Sequence, residues 1–266
     1  MDNDIPCPKT FAVRSEDYQE ALGQLRFPVI VKPRRGLGSF GLRRVDHPEE
    51  VERILQGIQE DYGEMILQEY IPQEGGVQFQ AEAFVDAESK MKTCVVILKP
   101  RFFPVTGGTS TANLTIDRPD IQQTVRNLLE GIGWIGAADV DLILDPRDNI
   151  PKVLEINPRV TAGIRIGFEA GVDYADLHMR LATGLTIPRI DQYKMNIYSR
   201  NLIMDILWYL YSTSEQKKTN PLPFFQLMGS NVCYQTMRLD DPMPIWGFCM
   251  AMVRKYIRPK NWKAKL

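Results

Sequence analysis

The chain has 266 residues, enough for one large domain or two small ones around a sizeable core. Its 32 basic and 33 acidic residues nearly cancel, which gives no general argument for nucleic acid as a partner. The 44% hydrophobic and 24% charged content is ordinary for a globular protein. The four cysteines, Cys7, Cys94, Cys233 and Cys249, form no C-x-x-C pair, so a zinc site or disulfide framework is not expected. No apolar run is long enough to span a bilayer, and the acidic, proline-containing start MDNDIPCPKT does not read as a signal peptide; a cytoplasmic location is expected.

In chain order, SEDYQEAL predicts a short helix capped by Ser15, and FPVIVKP a strand closed by Pro33. GLRRV reads as a second strand. HPEEVERILQGIQEDY has proline and acids at its start and apolar residues at helical spacing, so a helix follows. EMILQEYI predicts a strand ended by Pro72. VQFQAEAFVDA and MKTCVVILKPRFF pair as a hairpin around Glu88-Ser89-Lys90. TGGTSTAN, Thr106 to Asn113, reads as a loop. RPDIQQTVRNLLEGIG is a helix, GAADVDLILD and KVLEINPRV a second hairpin, and DYADLHMRLATG a helix stopped by Gly184. Beyond Pro188 the pattern loosens into an apolar helix, NLIMDILWYLYST, a turn-rich stretch, and a basic end.

Two constellations carry chemistry. The first is GLGSFG, Gly36 to Gly41. It matches a dinucleotide fingerprint by letter, but strand rather than helix follows it, and no Gly-Lys-Ser/Thr closes it. What remains is a glycine hairpin with Lys32 on the strand in front. Its amides and Ser39 suit phosphate oxygens, with Lys32 as a point charge. The bland alternative is a plain hairpin with a snorkelling lysine, and the loop alone leaves both open.

The second is ADVDLILDPRDNIPKVLEINPRV. Asp139 and Asp141 share one strand face, as do Glu155 and Asn157, and hairpin pairing brings Asp141 toward Glu155 and Asn157. Converging carboxylates repel unless a cation lies between them. Oxygen ligands without His or Cys favour Mg2+, with Mn2+ as an alternative, completed by phosphate oxygens. Arg159 is placed to reach a phosphoryl group. The apolar Val153, Leu154 and Ile156 suggest that this strand is buried, which weakens the reading of a solvated acidic face.

Together IPCPKTF, FPVIVKP with its glycine hairpin, LQEYIP and VLEINPR resemble the ATP-grasp superfamily, in its carbamoyl-phosphate-synthase-like, carboxylate–amine ligase group, from about Ile5 to Thr186. The resemblance implies an α+β fold of two subdomains with nucleotide between them: a lid subdomain over 1–72, a Mg-binding subdomain over 73–190, and a mostly helical C-terminal extension over 191–266. It implies that Lys32 with Gly36, Gly38, Ser39 and Gly41 binds ATP phosphates, and that Glu69, Tyr70 and Ile71 form the adenine hinge. Asp141, Glu155 and Asn157 would ligate Mg2+, Arg159 would stabilise an acylphosphate step, and Lys99 and Arg101 would face the nucleotide or the carboxylate. The segment TAGIR, Thr161 to Arg165, falls where the family meets its acceptor. Gln78 stands where the family carries a ribose-binding acid, with Glu74 or Glu82 as substitutes. The implied activity joins a small carboxylate to an amine at the expense of ATP.

The family's upstream domain and earlier ATP lysine have no counterpart before IPCPKT. That motivates a second expectation, a non-catalytic ATP-binding piece or a subunit of a split enzyme, alongside a homo-oligomer or a separate N-terminal domain as partner. The basic tail, with Arg254, Lys255, Arg258, Lys260, Lys263 and Lys265 around Trp262, reads as a solvated helix end or as a membrane-surface or partner-binding helix.

Overall fold

A computed structural model of the chain describes residues 5–14, 18–35, 41–72, 77–105, 108–238 and 240–257, with the side chains at 252 and 255–257 outside that description. Ser15, Gly36, Gly38, Ser39, Glu74, Thr106, Gly107 and the tail from Arg258 onward therefore lie outside the described residues. The chain divides into two compact units, Met1–Gln78 with Val140–Ile156, and Phe79–Asp139 with Asn157–Leu266.

In the first unit, short β-branched runs make a four-stranded antiparallel sheet from β1 (Thr10–Val13), β2 (Val29–Pro33), β3 (Arg43–Val45) and β4 (Met65–Glu69). The order is β1-β4-β2-β3, and Val29 pairs with both Glu69 and Val45. Two helices accompany these strands, α1 (Tyr18–Leu22) and α2 (Val51–Tyr62). Pro48 opens a 3-10 turn ahead of α2, and Gly63 at φ 75° stops it. The i,i+4 pair Val51 and Leu55 is fully buried, and with Val29, Val31, Met65 and Leu67 it forms one core. Burying each such side chain stabilises the fold by about 1.5–3 kcal/mol.

The remaining elements are β5 (Gln78–Val85), β6 (Met91–Phe103), β7 (Thr109–Thr115), α3 (Pro119–Gly131), β8 (Gly136–Asp145), β9 (Ile150–Asn157), α4 (Arg165–Glu169), α5 (Tyr174–Thr183), β10 (Tyr198–Arg200), α6 (Leu202–Tyr211), α7 (Ser214–Thr219), β11 (Val232–Tyr234) and α8 (Met243–Ile257). Their strands form a seven-stranded sheet in the order β11-β10-β7-β6-β5-β8-β9. The expected hairpins and helices are present.

One expectation changes. Thr109 to Asn113 is not loop but strand, paired with β6 through Phe103↔Thr109 and with β10 through Ser199↔Asn113. The C-terminal extension is mostly helical, with α6, α7 and α8, and its short β10 and β11 add two strands to the sheet that carry no periodic signal of their own.

The second unit's core gathers Phe84, Val95, Ile97, Ile166, Val172, Tyr174 and Leu177. Asp173 caps α5 by accepting from the amides of Ala175 and Asp176, and Gly184 at φ 69° ends it. In α3 the buried stripe is Ile121, Val125 and Leu129 at i, i+4, i+8.

Candidate nucleotide and metal site

In the first unit, the β2 strand holds Lys32 half-buried. Burial lowers its pKa below the usual lysine value, and the Glu155 carboxylate acts in the opposite direction. The fold thus brings Lys32 and Glu155, far apart in sequence, within reach of each other's charge.

The hinge strand β4 is pinned from both sides. The Glu69 amide donates to Lys9 O at 2.9 Å and the Tyr70 amide to Pro28 O at 3.1 Å. Glu69 Oε1 accepts from the Arg26 amide at 3.2 Å. The Arg44 guanidinium lies 4.6 Å from the centre of the Tyr70 ring. Ile71, next in line, is buried. Of the glycine loop, Gly41 is described. At φ 75° it sits where a Cβ would come 2.8 Å from Pro33 Cγ, so only glycine fits.

The polar turn between β8 and β9 is built on Asp145. This fully buried carboxylate accepts from Arg147 Nη2 and Lys152 Nζ, each at 2.6 Å, and the Arg147 hydrogen bonds first of all hold it well below the usual carboxylate range. The turn fixes the hairpin that carries the acids.

On that hairpin Asp141 is half-buried, Glu155 exposed and Asn157 half-buried. The expectation that β9 is buried is corrected: β9 is the last strand of its sheet, and of its residues only Pro151 is buried. Its apolar residues Val153, Leu154 and Ile156 are half-exposed, as an edge strand allows. Among the described residues no group of three or more His, Cys, Asp or Glu side chains is placed to hold a cation. A protein-only cage is therefore not on offer. Two carboxylates and an amide oxygen do fit Mg2+ that arrives with phosphate oxygens and water.

In the second unit, Arg159 is exposed; its Nη1 donates to Val160 O at 3.2 Å and its Nη2 to Asn157 Oδ1 at 3.4 Å. Lys99 is half-buried on β6. Gln78, which starts β5, is half-buried too.

Arg101 is placed differently from expectation. Its side chain is fully buried, and Nη1 donates to Tyr198 Oη at 2.8 Å and to Asp205 Oδ2 at 2.9 Å, while Nε donates to Asn220 Oδ1 at 3.1 Å. Nη2 donates to the Leu222 carbonyl. With every nitrogen committed, Arg101 is a core residue rather than a nucleotide contact. The pairing of β6 with β7 is irregular between Leu98 and Arg101, and the resemblance that put Arg101 at the nucleotide carries no sign of this local break.

Glu82, considered as a ribose acid, is also relocated. It is 4% exposed and lines a cavity of about 10 Å3 with Asp139, Arg159, Thr161, Ile164 and Tyr174. Glu82 on β5 and Asp139 on β8 are both buried, and a charged residue inside the apolar run AEAFV was the signal for the first.

Comparison with known proteins agrees with this fold. The ATP-grasp domain family matches residues 1–163. A D-aspartate ligase of Enterococcus faecium is 30% identical over 174 residues, 59% of this chain and 41% of that protein. A carbamoyl phosphate synthase large chain of Methanobrevibacter smithii is 24% identical over 198 residues, 70% of this chain and 18% of that protein. Among solved structures, the biotin carboxylase domain of Hydrogenobacter thermophilus 2-oxoglutarate carboxylase, in complex with MgADP and bicarbonate, superimposes with a TM-score of 0.62 at 18% identity, covering 74% of this chain and 46% of that one. The N5-carboxyaminoimidazole synthetase of Staphylococcus aureus gives 0.58 at 18% identity, covering 74% and 51%. The chain belongs to the ATP-grasp family. It spans less than half the length of either of these two relatives.

Proposed function

We propose that the chain is an ATP-dependent carboxylate–amine ligase, or the nucleotide-activating part of one. The observation that supports this most is that the half-buried Lys32 feels the charge of Glu155, a lysine suited to phosphate within electrostatic reach of a carboxylate suited to a metal. The name of one relative, a D-aspartate ligase, points the same way.

In this reading Asp141, Glu155 and Asn157 hold Mg2+, and Lys32 holds nucleotide phosphate oxygens. The partly desolvated ammonium of Lys32 is a stronger electrostatic partner for a phosphate than a solvated one. Because the Glu69 and Tyr70 amides are already engaged, the reading assigns the adenine ring's hydrogen-bond donor to Ile71. Mg-ATP, when bound, supplies the phosphoryl group: a substrate carboxylate oxygen bonds to the γ-phosphorus as the bond to the β–γ bridging oxygen breaks. Arg159 and Lys99 neutralise charge on the carboxylate as it is activated. The amine nitrogen then forms the C–N bond, the C–O bond to phosphate breaks, and the nitrogen gives up a proton.

The test is ADP release over a panel of amino acids and small carboxylates with hydroxylamine present. A carboxylate-dependent hydroxamate is expected, and its absence with every carboxylate contradicts ligase activity of this chain. The coverage of under half of those relatives motivates a second reading, an ATP-binding piece of a larger or split enzyme. In that case the chain binds Mg-ATP without forming hydroxamate.

A further inference from the structure

The cavity in the second unit holds a chemistry that nucleotide binding does not use. Glu82 Oε1 accepts from Gln80 Nε2 at 3.2 Å, and its backbone carbonyl from Tyr174 Oη at 2.8 Å. Its Oε2 atom is buried without a hydrogen-bond partner among the described residues. Asp139, 5% exposed, lines the same cavity. A Cβ on Gly167 would stand 2.9 Å from Glu82 Oε2 and 2.6 Å from Tyr174 Cε2, so a side chain there would press on the carboxyl. An orphaned acceptor this deep costs free energy unless something donates to it.

The chemistry narrows the occupant. The two buried carboxyls disfavour an anion, and the cationic liner Arg159 is exposed and donates to Val160 O and Asn157 Oδ1. Two acids without a third ligand do not make a divalent-metal cage. A volume of about 10 Å3 admits one water-sized group. An ammonium head group has that size, carries several donors and the complementary charge. The cavity's rim is Arg159, Val160 and Thr161, which directly follow the strand bearing Glu155 and Asn157.

We propose that this cavity is the amino-group subsite of the acceptor substrate, seating ammonia or the nitrogen of a primary amine between Glu82 and Asp139. The inference rests on the ligase reading for the word acceptor, and on the cavity alone for the amine. Both carboxyls accept N–H bonds. Glu82 takes the proton that turns R–NH3+ into the R–NH2 needed for attack, becoming a neutral carboxylic acid. Burial first, and then the neighbouring Asp139, push the Glu82 carboxyl up to about 8, so above that pH it is the ionised group that can take a proton from nitrogen.

The experiment is a titration of the nucleotide-free chain with methylammonium chloride, followed by the backbone amide NMR signals of Thr161 and Gly167. Tetramethylammonium chloride and potassium chloride at equal ionic strength serve as controls. Saturable shifts with methylammonium and ammonium but not with the controls are expected. Glu82→Gln should weaken the methylammonium response about tenfold or more, the scale of one lost charge-assisted hydrogen bond. Equal shifts with tetramethylammonium or potassium, no shift at all, or an unchanged response in Glu82→Gln would overturn the subsite. Should that variant not fold, the cation series on the unaltered chain decides the matter. Hydroxamate formation without amine-specific shifts refutes the subsite alone. Specific shifts without hydroxamate keep the subsite and refute the ligase reading.

Discussion

Arg101 donates from Nη1 to Asp205 Oδ2 at 2.9 Å, and neither side chain is exposed. The same oxygen accepts from Arg200 Nη2 at 2.6 Å, and Asp205 Oδ1 accepts from Thr111 Oγ1 at 3.1 Å. One carboxylate on α6 is thus shared by two guanidinium groups, from β6 and β10, while the rings of Trp208 and Phe224 lie near Arg101. The network ties the C-terminal helices to the sheet.

Asp205→Ala therefore leaves two buried cations facing each other. A loss of about 3–5 kcal/mol is expected, the usual penalty for removing one partner of a buried pair. Urea unfolding of the variant checks this; an unchanged midpoint would return Arg101 to the list of nucleotide contacts.

The Glu82 carboxyl gives stability a pH dependence with a definite sign. Its pKa is raised from 4.5 to about 8 in the folded chain, so the folded state keeps a proton that the unfolded state has lost. The stabilisation is full below about 4.5 and is lost as pH rises through about 8, at roughly 1.4 kcal/mol per pH unit in between. The ionisable groups around it are Asp139 on β8, Tyr174 on α5, Cys94 on β6 and Arg159 at the cavity rim. Denaturation midpoints should fall between pH 5 and pH 8 more steeply for the unaltered chain than for Glu82→Gln. Parallel slopes would mean that Glu82 does not titrate in this window.

Gly167 faces Glu82 and Tyr174 so closely that a methyl group does not fit without movement. Gly167→Ala should lose about 1–3 kcal/mol, as overpacked sites do. The variant should also blunt the methylammonium response of the neighbouring amides. Thermal unfolding together with the NMR titration separates the two effects.

Much of this was legible in the residues. The β2 strand VIVKP, the helix begun by Pro48, and the two hairpins announce themselves by period and punctuation. In VLEINPR the strand placing of Glu155 and Asn157, two positions apart, was legible. Its environment was not: Val153, Leu154 and Ile156 look like core residues, yet they lie on an edge strand, and strand order is not written in local sequence. Arg101 and Thr109 were misread for the same kind of reason. The irregularity in β6 shifts the face of Arg101, and β7 acquires its strand identity from partners on both sides rather than from its Gly- and Thr-rich composition. The electrostatic reach of Glu155 to Lys32 joins segments more than a hundred residues apart, and no pattern in either segment encodes it.

The most direct test of the nucleotide reading is calorimetric titration of ATP into the chain with and without Mg2+, for the unaltered protein and for Glu155→Ala. The account predicts that Mg2+ tightens ATP binding to the unaltered chain about tenfold or more, on the scale of one charge-assisted ligand contact, and that Glu155→Ala abolishes this Mg2+ dependence while still folding. An equal Mg2+ effect in both proteins would contradict Glu155 as a metal ligand, and with it the pairing of Lys32 and Glu155 as the centre of the site.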